Sequence, residues 1–155
     1  MLIAELKPDQ REKILSELIE RFGFDKKVFD VFEFYRTKDN VYACSKEAIE
    51  LAKGIAGVQD LGFAFSRLGV NLKITTNAIQ LIGRFAKKNF IVLAWEEAKQ
   101  FIAGKDITLE EKQASAANGF VIVRFGDDNL GVGFLRDKNL KNLLPGAKRL
   151  PTFDF

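Results

Sequence analysis

Apolar positions along the chain change period several times, and each change marks an element. Ile14, Leu15, Leu18, Ile19 and Phe22 recur at helical spacing; Pro8 sits where a first turn tolerates it, and Gly23 supplies a stop. Val28–Tyr35, aromatic and β-branched, predicts a strand, Thr37–Asn40 a turn and Val41–Cys44 a second strand. Ser45 can cap a helix that carries Ala48, Ile49, Leu51 and Ala52 and fades at Gly54 and Gly57. Asp60–Gly69 and Asn71–Thr75 read as two more strands, with Phe63 and Phe65 on one face and Ala64 and Ser66 on the other. Thr76 or Asn77 can cap a helix bearing Ile79, Leu81, Ile82 and Phe85, with Lys87 and Lys88 near its negative end.

A short apolar strand, Phe90–Leu93, then leads into a helix, Trp95–Ala103, stopped by Gly104. Thr108 and Glu111 have capping-box spacing, which predicts a short helical turn. Phe120–Phe125 and Leu130–Leu135, joined by Gly126-Asp127-Asp128-Asn129, read as a β-hairpin. On its first strand Val121, Val123 and Phe125 share a face, opposite Phe120, Ile122 and Arg124. On its second, Leu130, Val132 and Phe134 alternate with Gly131, Gly133 and Leu135. Two glycines on one face weaken a strand unless a sharp bend or a close backbone approach requires them. The best boundary lies at Lys88-Asn89, after a complete β/α unit, giving domains of residues 1–88 and 89–155 with no visible linker.

Composition narrows the chemistry. The 155 residues are 47% hydrophobic and 29% charged, as in an ordinary globular protein. No apolar run approaches the ~20 residues a membrane span needs, and the charged N-terminus lacks a signal-peptide core. There is no histidine and a single cysteine, Cys44. That removes the commonest general base, the commonest zinc ligand and every Ser-His or Cys-His pair and all but excludes a thiolate or imidazole metal site; carboxylate chemistry and oxygen-ligated Mg²⁺ stay open, and no metal or cofactor is expected. The lone cysteine fits a reducing, cytoplasmic-type compartment and reads as a small buried hydrophobe. Glu96/Glu97 and Glu110/Glu111 are adjacent pairs that diverge on a helix; capping accounts for them. Gly131 and Gly133 form GxG within a strand, with no helix following to make a phosphate loop.

Net charge is only +3, but its distribution is uneven. Residues 1–60 carry ten Lys/Arg against twelve Asp/Glu, whereas residues 61–90 carry five Lys/Arg and no acid. A second basic run follows the hairpin: Arg136, Lys138, Lys141, Lys148 and Arg149, opposed within it only by Asp137. A small curved sheet with a cationic exit is suited to polyanionic backbone, which such side chains would track with little base discrimination. These five, with Arg124 on the hairpin, are the candidate RNA-binding residues; Arg124 could instead pair with Asp127 or Asp128. Arg67, Lys73, Arg84, Lys87 and Lys88 form a candidate secondary basic face, which structural or partner contacts would equally explain. Most of the fifteen phenylalanines are needed as core, with Phe153 and Phe155 ambiguous, and Trp95 is expected to pack between domains.

From Lys88 onward the order strand, helix with Gly104, loop, hairpin with Gly131 and Gly133, closing strand resembles a PUA domain, the RNA-binding pseudo-barrel named for pseudouridine synthases and archaeosine transglycosylases. Gly119-Phe120-Val121-Ile122-Val123 and Leu130-Gly131-Val132-Gly133 carry most of that likeness. Upstream, Val41-Tyr42-Ala43-Cys44-Ser45-Lys46, Ile49, Leu51-Ala52, Ile55, Leu61-Gly62, Phe65, Arg67, Lys73-Ile74 and Ala78-Ile79 are similar to the pre-PUA domain of the Nip-seven family of large-ribosomal-subunit biogenesis factors. The two-domain order resembles that family over nearly the whole chain. Thr75 stands where the family is expected to show histidine. Leu140–Leu150, with Pro145 and Lys148-Arg149, looks closer to PUA domains attached to archaeal RNA cytosine methyltransferases.

The resemblance implies a mixed α+β fold, an N-terminal α/β sheet domain packed on a C-terminal PUA-type pseudo-barrel. It implies a non-catalytic RNA-binding protein of ribosome biogenesis, with uridine-rich single strands as ligand and assembly factors or the exosome as protein partners. A monomer is expected, cytoplasmic in an archaeal host and nucleolar in a eukaryotic one. The alternatives are a protein–protein adaptor whose cations meet an acidic partner, or an RNA-targeting accessory module of an RNA-modifying enzyme such as a cytosine methyltransferase.

Overall fold

The computed structural model describes residues 4–111, 113 and 116–150; Phe153 and Phe155 lie outside that set. The chain divides into two compact units, Met1–Ala78 and Ile79–Phe155. The boundary expected at 88/89 falls inside the second unit. Each unit is built on its own five-stranded sheet, so the fold is mixed α+β.

In the first unit the strands β1 (Ala4–Glu5), β2 (Glu33–Arg36), β3 (Asn40–Cys44), β4 (Phe63–Arg67) and β5 (Lys73–Ile74) are adjacent in chain order, an antiparallel meander. Helix α1 (Pro8–Phe22) buries Ile14, Leu15, Leu18 and Phe22 and ends on Gly23 in the left-handed conformation. The core is aromatic: Phe24 meets Phe29 edge-on at 5.6 Å, Phe29 meets Phe65 at 6.2 Å, and Phe65 meets Phe34 at 5.0 Å. That cluster accounts for a departure from the expected Val28–Tyr35 strand. Asp25 accepts a hydrogen bond from the Lys27 amide and starts a 3-10 turn over Lys26–Phe29, which drives Phe29 wholly into the core. The strand begins only at Glu33. Helix α2 (Lys46–Lys53) is capped by Ser45 as expected, and Cys44 is buried.

Helix α3 (Thr76–Ile82) is capped neither by Thr76 nor by Asn77. Thr75 Oγ1 accepts from the Ala78 amide at 3.2 Å and donates to Ala64 O at 2.6 Å. The helix then tightens into a 3-10 turn, Gly83–Phe85. The change from 3.6 to 3.0 residues per turn takes Phe85 off the apolar stripe, and it is 43% exposed.

The second unit continues with β6 (Phe90–Val92), α4 (Trp95–Ile102), β7 (Ile107–Thr108), β8 (Gly119–Phe125), β9 (Asp128–Arg136) and β10 (Asn139–Asn142). Its sheet order is β6-β8-β9-β10-β7, with only β6 and β8 parallel. The sheet curls into a half-barrel around Ile91, Leu93, Phe101, Ile107, Val121, Val123, Leu135 and Leu140. Thr108 therefore lies on a strand paired with Asn139 and does not cap the expected turn; a turn follows two residues later, where the Gln113 amide donates to Glu110 O at 3.0 Å and the Glu110 amide donates to Gln113 Oε1 at 3.1 Å. Strand pairing satisfies the Leu140–Ile107 backbone and buries Ile107 and Leu109, which one helical turn could not do.

Gly133 shows why the hairpin carries glycine. A Cβ there would stand 2.5 Å from Leu140 Cδ1 and 3.1 Å from Lys141 O, so the strands approach too closely for a side chain. The expected alternation fails at one residue, Leu130. Val123 pairs with Gly131 but Arg124 pairs with Asn129, so Leu130 is the extra residue of a β-bulge and packs against the barrel core instead of beside Val132.

Candidate nucleic-acid interface

The outer face of the second sheet follows from its register. Phe120, Phe134 and Lys141 stand opposite one another across β8, β9 and β10, and Arg136, Asn139 and Thr108 make the next row across β9, β10 and β7. A groove of about 440 Å³ runs over these rows, lined by Phe134, Arg136, Asn139, Lys141, Thr108 and Asp106 along with Ile107 and Leu140. Phe120 meets Phe134 at an interplanar angle of 84° with centroids 5.2 Å apart, the edge-to-face geometry aromatic pairs favour. Arg136 and Lys141 are exposed and make no side-chain hydrogen bond or ion pair among the described residues. Asp106 is the one acid of the groove lining among the described residues, and its Oδ1 already accepts from the Asn142 amide at 2.8 Å.

The six candidate RNA-binding residues divide. Arg136 and Lys141 share the groove. Lys138 sits in the β9–β10 turn, where its Nζ lies 3.2 Å from Glu111 Oε1; both are exposed, so the pair is weak and exchangeable. Lys148 Nζ donates to Gln80 Oε1 at 2.8 Å, while Gln80 Nε2 donates to Leu130 O, the carbonyl of the bulge, at 3.3 Å. Arg149 donates from Nε to Leu144 O at 2.9 Å and lies across Gly104, where a Cβ would come within 2.6 Å of its Cδ. A cation over the C-terminal end of α4 also complements the helix dipole.

Arg124 departs furthest from the expectation. It pairs with neither Asp127 nor Asp128 but donates from Nε to Asn129 Oδ1 at 3.0 Å and from one terminal nitrogen to Gly83 O and, at 3.4 Å, Ala86 O. Burial lowers its pKa from the ordinary guanidinium value, with Asp127 acting in the opposite sense. Its donors are committed to folding the Ile79–Ala86 segment onto the sheet, which leaves little of it for a phosphate. The bulge made this possible by bringing Asn129 opposite Arg124, and residue spacing alone does not reveal a bulge.

The secondary set divides between the units. Arg67 and Lys73 are direct cross-strand partners on β4 and β5 of the first. Arg84, Lys87 and Lys88 are exposed on the second, with the Arg84 guanidinium 4.7 Å from the Phe85 ring centroid. Trp95 is 46% exposed and packs within its own unit on Phe125, 5.4 Å between centroids.

One residue that sequence reasoning missed organises the end of the domain. Asn142, 6% exposed, donates from Nδ2 to Phe101 O at 2.6 Å and Lys105 O at 3.0 Å and accepts at Oδ1 from the Leu144 amide at 2.8 Å. It ties the α4–β7 loop to β10, whose outward residues are Asn139 and Lys141. An asparagine between Lys141 and an apolar Leu143-Leu144 pair is the only sequence signal, and it reads equally well as a turn.

The second unit thus presents a curled five-stranded sheet, one packed helix and an outer groove with two exposed cations. Residues 88–150 match the family model described as the methyltransferase RsmF PUA domain. That stretch is therefore similar to a PUA domain, a generic RNA-binding module, and the groove chemistry is consistent with RNA binding. No curated protein matches the chain.

Proposed function

We propose that this chain is a non-catalytic RNA-binding protein that acts in maturation of large-subunit ribosomal RNA, its PUA domain gripping single-stranded, uridine-rich RNA. The observation that carries the RNA reading is the pair Arg136 and Lys141, cations with no ion pair among the described residues, on one groove of a domain matched to a PUA family model. The ribosomal role rests on the resemblance of the two-domain order to the Nip-seven family, and cytoplasmic assembly factors or the exosome would be its protein partners. A second reading has its own support: the matched model is that of the PUA domain of a methyltransferase. Under it the chain is a targeting module that delivers an RNA-modifying enzyme to its substrate.

Filter binding of single-stranded oligouridylate across a salt series tests the RNA reading. Contacts from Arg136, Lys138 and Lys141 predict that log affinity falls with log salt at a slope of about −2. Replacing all three with glutamate should abolish retention while the thermal transition stays in place. Unchanged binding by that variant at low salt overturns the reading and favours the adaptor alternative if an acidic protein is retained instead. Crosslinking in lysate separates the two RNA roles: ribosomal precursor supports the first, and co-purification with a methyltransferase the second.

A further inference from the structure

The groove over β9 and β10 is built for more than backbone phosphate. Phe134 lies on its wall, held edge-on by Phe120, with Lys141 directly across the strand pair and Arg136 two residues along the same strand. Asn139 and Thr108, opposite each other across β10 and β7, add an amide and a hydroxyl to the same lining. Its volume, about 440 Å³, lies within the ~300–1,000 Å³ of small-ligand sites.

Phe134 is half-buried, its ring partly open to the groove, and the two exposed aromatics of this unit among the described residues, Phe85 and Trp95, are differently placed. The Phe85 ring already carries the Arg84 guanidinium, and the cation nearest Trp95, Lys99, is held 2.9 Å from Glu96. The groove at Phe134 combines a π-surface, two cations without ion pairs among the described residues and neutral hydrogen-bonding groups in one depression.

Resting on the RNA reading above, we propose that this groove seats one unstacked base of a single-stranded RNA against the ring of Phe134. Arg136 and Lys141 neutralise the flanking phosphates, and Asn139 and Thr108 meet the base edge. A stacked base supplies affinity that salt does not screen, and the edge contacts supply discrimination that a purely cationic track lacks.

The test compares the full chain with Phe134→Leu and Phe134→Trp, using an oligouridylate of about eight nucleotides. Loss of one stacking platform should weaken binding by roughly ten-fold in Phe134→Leu, with the salt slope unchanged, and Phe134→Trp should restore it. Because Phe134→Leu could disturb the sheet, the wild-type protein is also titrated with the same oligomer made abasic at successive positions. One position should lose a comparable factor. Equal affinity for intact and abasic RNA, with binding still lost in the Arg136→Glu/Lys141→Glu variant, overturns the base seat and leaves the RNA reading standing. No RNA binding by the wild type at low salt removes both.

Discussion

The guanidinium carbon of Arg124 lies 4.0 Å from the centroid of the Phe90 ring, over its face. Phe90 pairs with Ile122 and Val92 with Arg124 in the parallel β6–β8 ladder, so the arginine leans back along its neighbour strand to reach that ring. Stacking there aligns its nitrogens with Asn129, Gly83 and Ala86. A planar fork is needed; a point charge on a flexible stem would not do it.

Arg124→Lys is therefore expected to destabilise the protein by about 1–3 kcal/mol, the range for hydrogen bonds to charged groups and cation–π contacts. The shift in urea midpoint measures it. If the side chain is a clamp and not an RNA ligand, the salt slope of RNA binding under folding conditions stays at the wild-type value. A slope reduced by about 0.7 would instead return Arg124 to the phosphate contacts.

Asn142→Asp should be destabilising with a defined pH dependence. An ionised aspartate cannot donate to Phe101 O or Lys105 O, and it would stand beside the Asp106 carboxylate that accepts the residue-142 amide. The two carbonyls and the Asp106 carboxylate favour the protonated acid and together outweigh the Leu144 amide, which donates to residue 142 and favours the ionised form, so the folded pKa is expected above the unfolded value of about 3.9. The folded state then binds the extra proton. Stability is greatest below the unfolded pKa and falls as pH rises towards the folded one, the opposite of an ordinary salt-bridged aspartate. Denaturation midpoints of the variant relative to wild type across the acid-to-neutral range give the sign directly.

Gly133→Ala is expected to cost about 1–3 kcal/mol by overpacking. Its Cβ would meet the Leu140 side chain, which is 1% exposed and has nowhere to go, and the Lys141 carbonyl, which is backbone. Gly146→Ala is the control, since nothing lies within 4 Å of a Cβ there. Calorimetric midpoints should separate the two variants clearly; equal midpoints would mean that β9 and β10 can part without loss.

Local chemistry carried much of the fold into view. The Gly23 stop, the Ser45 cap and the Gly104 stop each act within a few residues, and each appears in the structure where spacing placed it, whereas the loop expected over Gly126–Asn129 shortens to Gly126-Asp127 because Asp128 and Asn129 pair with Phe125 and Arg124. Phe29 shows the limit. Its neighbours Val28, Val31 and Phe32 favour extended backbone, but burying Phe29 against Phe24 and Phe65 outweighs a propensity difference of well under ~1 kcal/mol per residue. Thr108 errs in the other direction: its spacing to Glu111 was a sound cap, overridden by a partner strand some thirty residues away.

The amino-acid order by itself determined the sheet-bearing halves, the shared face of the hairpin glycines and the concentration of cations after it, because period, turn chemistry and charge count are local quantities. Only the tertiary structure decided which cations share a surface. The β9–β10 register puts Arg136 and Lys141 on one face with Phe134, while the bulge at Leu130 commits Arg124 to the Ile79–Ala86 segment and the chain's return over α4 commits Arg149 to Leu144 O. Register and bulges are set by long-range pairing, and one residue of slip exchanges the two faces of a strand.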